Sequence, residues 1–364
     1  MKDQQPSPGW ISEHAPGIFL CVAIFTAAHF LSQYLGSVIS GFNPFTASVL
    51  AILLGIVVAN TVKPGPRFAP GVRFCLKKVL RAAIVLIGIR LSLIEVGELG
   101  ATGLPVVVVA VATGVFGVEL LSRLFHLPTK LGMLLGAGTS ICGVTAVVST
   151  APVIDADEGE VAYAVSNVTL FGLIGTLVYP YLVPYLFPLG KQCGLFLGTA
   201  IHDMAQLMGA AATYKDLYSD ETGFATAAIT KMTRNLFLAL VIPYFAWRTR
   251  EQREHEVEGK RPPLLPGFLL GFLLMSCLRS VGDYSLAQSG QALWVLDPEQ
   301  WKTALHFVGK VIGSTWLVGF ALVGVGLNLK TEIFRGLGFR PFLLGLTGAL
   351  LVGCASLLTI KVLF

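Results

Sequence analysis

Eleven stretches of the chain are almost wholly apolar, and short polar connectors separate them. They cover residues 17–37, 45–62, 79–96, 102–122, 131–151, 161–187, 192–213, 223–247, 264–285, 303–328 and 341–362. At roughly 20 residues each, such stretches can carry a helix through hydrocarbon, where every backbone N–H and C=O must be satisfied within the segment. The first has no basic n-region and no A-x-A site, so it reads as one span of a series and not as a cleaved signal. The longest polar stretch, 248–263, is too short for a domain. It reads as a cytoplasmic loop between approximate halves 1–190 and 191–364 of a single integral membrane domain spanning 1–364. The fold expected is an all-α polytopic membrane protein with about eleven transmembrane segments.

Composition agrees and closes off other classes. Of 364 residues, 54% are hydrophobic and 13% charged, against the ~25% charged of soluble proteins. A soluble chain with so few charges could not cover its surface, and a disordered one would not be this apolar. Six scattered Cys without a CxxC pair exclude a disulfide-built domain. The net charge of +5 is then a matter of topology and not of nucleic acid. Basic residues gather at Lys63, Arg67, Arg73, Lys77, Lys78 and Arg81, at Arg123 and Lys130, at Arg248, Arg250, Arg253, Lys260 and Arg261, and at Lys330, Arg335 and Arg340. All four groups share one side if the N-terminus is cytoplasmic and the C-terminus outside. With eleven full crossings, Asp155, Asp157, Glu158 and Glu160 face outward.

Two internal repeats stand out. Gly138-Thr139-Ser140-Ile141-Cys142 is echoed about 60 residues later by Gly198-Thr199-Ala200-Ile201-His202, and Pro180-Tyr181 by Pro243-Tyr244. Ile87-Gly88-Ile89-Arg90-Leu91-Ser92-Leu93 is echoed by Val323-Gly324-Val325-Gly326-Leu327-Asn328-Leu329, each followed by an acid (Glu95, Glu332) and a Gly (Gly100, Gly336). Repeats in a membrane chain mark many secondary transporters. If the segments holding Gly138 and Gly198 both cross, they run parallel. If both are re-entrant, the second enters from the opposite side and the repeat is inverted.

These two segments are poor continuous helices. Gly132, Gly136, Gly138 and Gly143 interrupt one, and Gly194, Gly198 and Gly209 the other; packing of small residues is the plain explanation. The functional one is a pair of discontinuous helices, crossover or re-entrant, whose exposed backbone binds a solute. Gly138, Thr139, Ser140, Cys142, Gly143, Gly198, Thr199 and Gln206 are then substrate-binding candidates, hydroxyls and N–H groups holding an anion. Ionisable residues at membrane depth need a reason. Arg90 is a candidate counter-charge, or snorkels, or pairs with Glu95. His202 and Asp203 suit proton coupling. Lys231 and Arg234, three apart, form one basic face that lines an anion path or neutralises Asp203. Asn167 and Asn328 are pore-facing amides or interhelix hydrogen bonders. No HExxH, GxGxxG or GxxxxGK[ST] occurs, and Cys142 with His202 lacks a third orienting group. No enzyme, metal or cofactor is expected.

Gly136-Ala-Gly-Thr-Ser-Ile-Cys-Gly143, Ala200-Ile-His-Asp-Met-Ala-Gln206 and Gly88-Ile-Arg-Leu-Ser92 resemble the YeiH-type bacterial inner-membrane family, labelled sulfate exporters, over nearly the whole chain. The relatives typically carry Glu where Asp203 stands, one methylene longer. A weaker resemblance to the bile-acid/sodium symporter and cation–proton antiporter folds implies inverted repeats and a core domain with broken helices. The function these imply is secondary transport of a small anion, most specifically export of sulfate or a related oxyanion or sulfonate by alternating access. A sodium-coupled importer of an organic anion and a non-transporting membrane sensor or intramembrane enzyme are the alternatives. The partners implied are the lipid bilayer, a small anionic solute and a coupling proton or sodium ion, with a homodimer as the assembly and no nucleic acid.

Overall fold

The computed structural model describes residues 10–38, 45–249, 267–329 and 339–364. Among them the chain is helical, apart from short connectors and one isolated β-bridge between Ala292 and Leu296. The helices are α1 (Trp10–Val38), α2 (Ala47–Thr61), α3 (residues 69–90), α4 (Leu93–Leu124), α5 (Thr129–Ser140), α6 (Val144–Val153), α7 (Glu158–Leu186), α8 (Gly190–Ala200), α9 (Met204–Tyr218), α10 (Glu221–Arg248), α11 (Gly267–Ser289), α12 (Pro298–Leu327) and α13 (Phe339–Leu363). Over its described residues, each apolar stretch of the sequence falls on one of these or on a consecutive pair. Six of them, α1, α4, α7, α10, α12 and α13, are long and apolar enough to cross a membrane alone. Arg250, Arg253, Lys260, Arg261, Lys330 and Arg335, the linker beyond Thr249, and Glu332 and Gly336 of the second repeat lie outside the described residues.

Starts and ends follow local chemistry. Ser92 caps α4 and Asp157 caps α7, each in a reciprocal box with the acid three residues on, Glu95 and Glu160. Asp220 caps α10 through Gly223 N–H.

Two compact units interleave along the sequence: Met1–Arg90 with Gly282–Thr331, and Leu91–Val281 with Glu332–Phe364. In the first unit α1 meets α3 at Gly17 and Gly71, and α2 meets α12 at Gly55 and Gly326. A Cβ at any of these four would run into backbone. The repeat Ile87–Leu93/Val323–Leu329 has a structural meaning here. Each copy ends a helix of the first unit, α3 or α12, just before the chain passes to the second.

The second unit holds α4–α10, most of α11, and α13. Its two broken segments each fold back on themselves. Lys130, at the start of α5, donates to the backbone oxygen of Asp155, just past α6, at 2.5 Å. A Cβ on Gly138 would lie 2.8 Å from a methyl of Val147. Run straight, residues 130–155 would span over about 30 Å. Instead α6 turns back along α5. Likewise Gly190, at the start of α8, abuts Asp220, just past α9, and a Cβ on Gly223 would lie 3.0 Å from the Gly190 oxygen. So 131–151 and 192–213 are each a pair of helices folded back into a hairpin, not one straight helix. The acidic residues from Asp155 to Glu160 stand at the same end as Lys130, not opposite it.

Candidate functional site

The hairpins break at equivalent places. Helix α5 stops at Ser140 and α6 begins at Val144; α8 stops at Ala200 and α9 begins at Met204. An offset of 60 superposes Ile141-Cys142-Gly143 on Ile201-His202-Asp203, so the repeat read from sequence maps break onto break. Gly143 has φ +62° and ψ −124°, a conformation reserved for glycine. Asp203 starts α9 with its own side chain, Oδ1 accepting from Ala205 N–H at 2.9 Å. The two tips touch. A Cβ on Gly143 would sit 3.1 Å from Asp203 Cβ and 3.3 Å from its nitrogen.

Helices α5 and α8 both end here, and a helix C-terminus leaves carbonyls unpaired and carries partial negative charge. Helix α10 supplies the answer to both. The Arg234 guanidinium donates through Nε to Ser140 O, through Nη2 to Thr139 O and through Nη1 to Thr199 O, with Nη1 also 3.2 Å from Ile201 O. Lys231 Nζ donates to Ile201 O at 2.7 Å and His202 O at 2.6 Å. Both cations are fully buried. Thr139 O and Thr199 O are repeat equivalents, so one side chain clamps matching carbonyls of both hairpins. Lys231 uses two of its three protons on carbonyls. Formally two cations face one carboxylate, Asp203, which is half-buried.

Close packing holds the tips in place. Gly194 and Gly198 lay α8 on α10, where a Cβ would strike Thr226, Ala227 and Thr230. On the other hairpin, Gly132 and Gly136 lay α5 on α4 against Ser122 and the carbonyls of Gly114 and Val115. Helix α4 widens into a π-turn at Thr113–Gly117 where Gly114 meets Ser140.

Several expected ligands are occupied elsewhere. Ser140 Oγ donates to Gly136 O at 2.5 Å and Thr199 Oγ1 to Leu195 O at 2.8 Å, so both hydroxyls serve their own helices. Asn167 Nδ2 donates to Pro341 O at 2.9 Å, an α7–α13 interhelix bond. Gln206 Nε2 donates to Thr169 O at 2.8 Å, while its Oε1 and His202 Nδ1 are buried without a hydrogen-bond partner. Cys142 and Gly138 are buried at the first break. Arg90 belongs to the first unit, where its side chain lies over Gly309. Asn328 caps the end of α12.

Sequence reasoning passed over Glu119. This buried acid takes Arg123 at 2.8 Å and Arg248 at 2.5 Å, tying α4 to the end of α10 at the open end of the first hairpin. An acid inside an apolar stretch was its available signal. Among the described residues no group of three or more His, Cys, Asp or Glu could hold a metal ion.

The family model described as conserved hypothetical protein 698 matches residues 16–345. A UPF0324 membrane protein of Corynebacterium glutamicum is 30% identical over 349 residues, covering 96% of this chain and 92% of its own. One from Fusobacterium nucleatum is 29% identical over 332 residues, 90% and 92% of the two chains. One from Streptococcus agalactiae is 30% identical over 333 residues, 92% of each.

Proposed function

We propose that this chain, which belongs to the family of conserved hypothetical protein 698, is a secondary active transporter of a small anion. One observation carries the reading. Two repeat-related hairpins meet tip to tip on two fully buried cations, Lys231 and Arg234. A buried cation is costly unless paired, and these are paired with carbonyls, not carboxylates. The tips therefore keep a positive excess that a small anion would balance. Export of sulfate or a related oxyanion or sulfonate is the version to test first, on the resemblance carried by Gly136–Gly143 and Ala200–Gln206. The third proton of Lys231 is the donor for the anion. Asp203 and His202 are the groups for a coupling ion. A sodium ion bound at the tips would face both cations, which weighs against the sodium-coupled alternative.

In the bilayer, two hairpins and nine passing helices keep the N-terminus and all four basic groups cytoplasmic. The first hairpin then enters from the cytoplasm and the second from outside, so the 138/198 repeat is inverted, as alternating access uses.

The test is flux of radiolabelled sulfate, with sulfonates as competitors, in proteoliposomes. The reading expects saturable flux that Lys231→Gln abolishes while the protein still folds. Equal flux in the variant, or none for any small anion in the wild type, contradicts it.

A further inference from the structure

Helices α1 and α13 turn large apolar side chains outward, Phe19 and Phe30 on one and Leu350 and Leu358 on the other, as hydrocarbon requires. Helix α12, 30 residues long and apolar enough to span, exposes a single large apolar side chain, Phe307. Along one face it exposes Glu299, Lys302, Thr303, His306 and Lys310 instead. Their spacing of three or four residues lines them up. The polar stripe runs from the start of α12 to near its middle and stops there, because the next position along it, Ser314, is buried.

The stripe carries a charge to membrane depth. An ammonium in hydrocarbon is costly, so a mid-span lysine faces water or an opposite charge. Lys310 is exposed, and among the described residues neither an ion pair nor a hydrogen bond occupies it. Snorkelling out through lipid would leave His306 and Thr303 in that lipid too. A second cation stands beside it. A Cβ on Gly309 would strike the Arg90 side chain, so Arg90 crosses α12 at the residue before Lys310. The helix is wound in π-turns here, over His306–Leu317, a form that recurs where a helix serves a function. The one acid of the stripe, Glu299, lies at its outer rim with Lys302 at 3.3 Å. Deeper in, the charge is of one sign.

We propose that the α12 stripe is the wall of an aqueous vestibule in the outer half of the membrane, and that Lys310 and Arg90, with His306, hold a small anion at its inner end. This is a second anion site, on the first unit and apart from the hairpin tips. Charge selects the occupant: the inner end offers two cations and no acid, and a partner helix seated there would have to bring its own carboxylates into the bilayer. The water and the anion stand on α12 itself; the outward placement rests on the topology read above.

Single cysteines read the stripe in the full chain on intact cells, in a background with Cys277 and Cys354 replaced. Thr303→Cys, His306→Cys and Lys310→Cys should react with membrane-impermeant methanethiosulfonates applied outside, and Leu350→Cys on α13 should not. At His306→Cys the anionic sulfonatoethyl reagent should outpace the cationic trimethylammonium reagent by roughly tenfold, after correction for their rates with a free thiol. Lys310→Gln should bring that ratio near unity and Lys310→Arg should keep it. Sulfate should slow the reaction only where the charge at 310 is kept. Silence at both His306→Cys and Lys310→Cys in protein recovered from the membrane puts the face in lipid or against a second copy and overturns the vestibule. Reaction only in inverted vesicles overturns its outward placement. Equal corrected rates for the two reagents, or a ratio that Lys310→Gln leaves unchanged, overturns the anion site. None of these readouts needs flux, so an absence of transport in proteoliposomes strikes the transport reading alone, and labelling still decides this one.

Discussion

At the residue scale the account turns on Arg234 and Gly143. Arg234 satisfies carbonyls that two helix ends leave bare, so removing it strands several buried acceptors at once. Arg234→Met should cost about 3–5 kcal/mol, the range for breaking a buried charged pairing, read as a fall in thermal unfolding of the purified protein. Arg234→Lys should recover part of that loss and not all, since one ammonium cannot reach both hairpins in a fork. Gly143→Ala places a Cβ against Asp203 in a backbone conformation L-residues avoid. It should destabilise by roughly 1–3 kcal/mol and reduce flux. Little of this pairing was legible beforehand. The glycines, Lys231 and Arg234 were visible as anomalies in apolar text. Their partners, 94 and 95 residues away in the case of Ser140 and Thr139, carry no mark, because a backbone carbonyl is present at every residue. The side chains of Ser140 and Thr199 drew attention as ligands, but their carbonyls turned out to be the groups used at the site.

At the element scale the decisive feature is the return of each hairpin. Length and hydropathy locate an apolar stretch, but neither reports direction, since a hairpin of two short helices has the same residue count as one passing helix. The breaks were legible from Gly and from the 60-residue repeat; the fold-back was not, because it depends on contacts such as Lys130 with Asp155. With those two residues replaced by Cys, a short bifunctional thiol reagent should link them in the membrane, seen as a linked peptide by mass spectrometry. A straight passing segment would leave both thiols free. Packing at this scale is equally testable. Gly198→Val should wedge α8 away from α10, costing about 1–3 kcal/mol as overpacking does, with a larger loss of flux than a distant change of equal cost.

At the scale of the whole molecule, two units each draw on separated parts of the chain. The repeat at Ile87–Leu93 and Val323–Leu329 marks two of the places where the chain leaves the first unit. Sequence reading found that repeat yet could not say what it separated, since unit membership is a matter of contacts and not of local pattern. Topology is likewise a property of the whole. With the hairpins turned back, the acidic turn after α6 lies beside Lys130 at the start of α5, and the turn after α9 lies beside Gly190 at the start of α8.

Sided labelling tests this most directly. In a background with Cys277 and Cys354 replaced, single cysteines at Glu158 and Ser219, both exposed, are offered a membrane-impermeant maleimide on intact cells and on inverted vesicles. The account predicts that Glu158→Cys reacts only in inverted vesicles and Ser219→Cys only on intact cells. Reaction of both from the same face would contradict hairpins that enter from opposite sides, and with them the shared anion site at their tips.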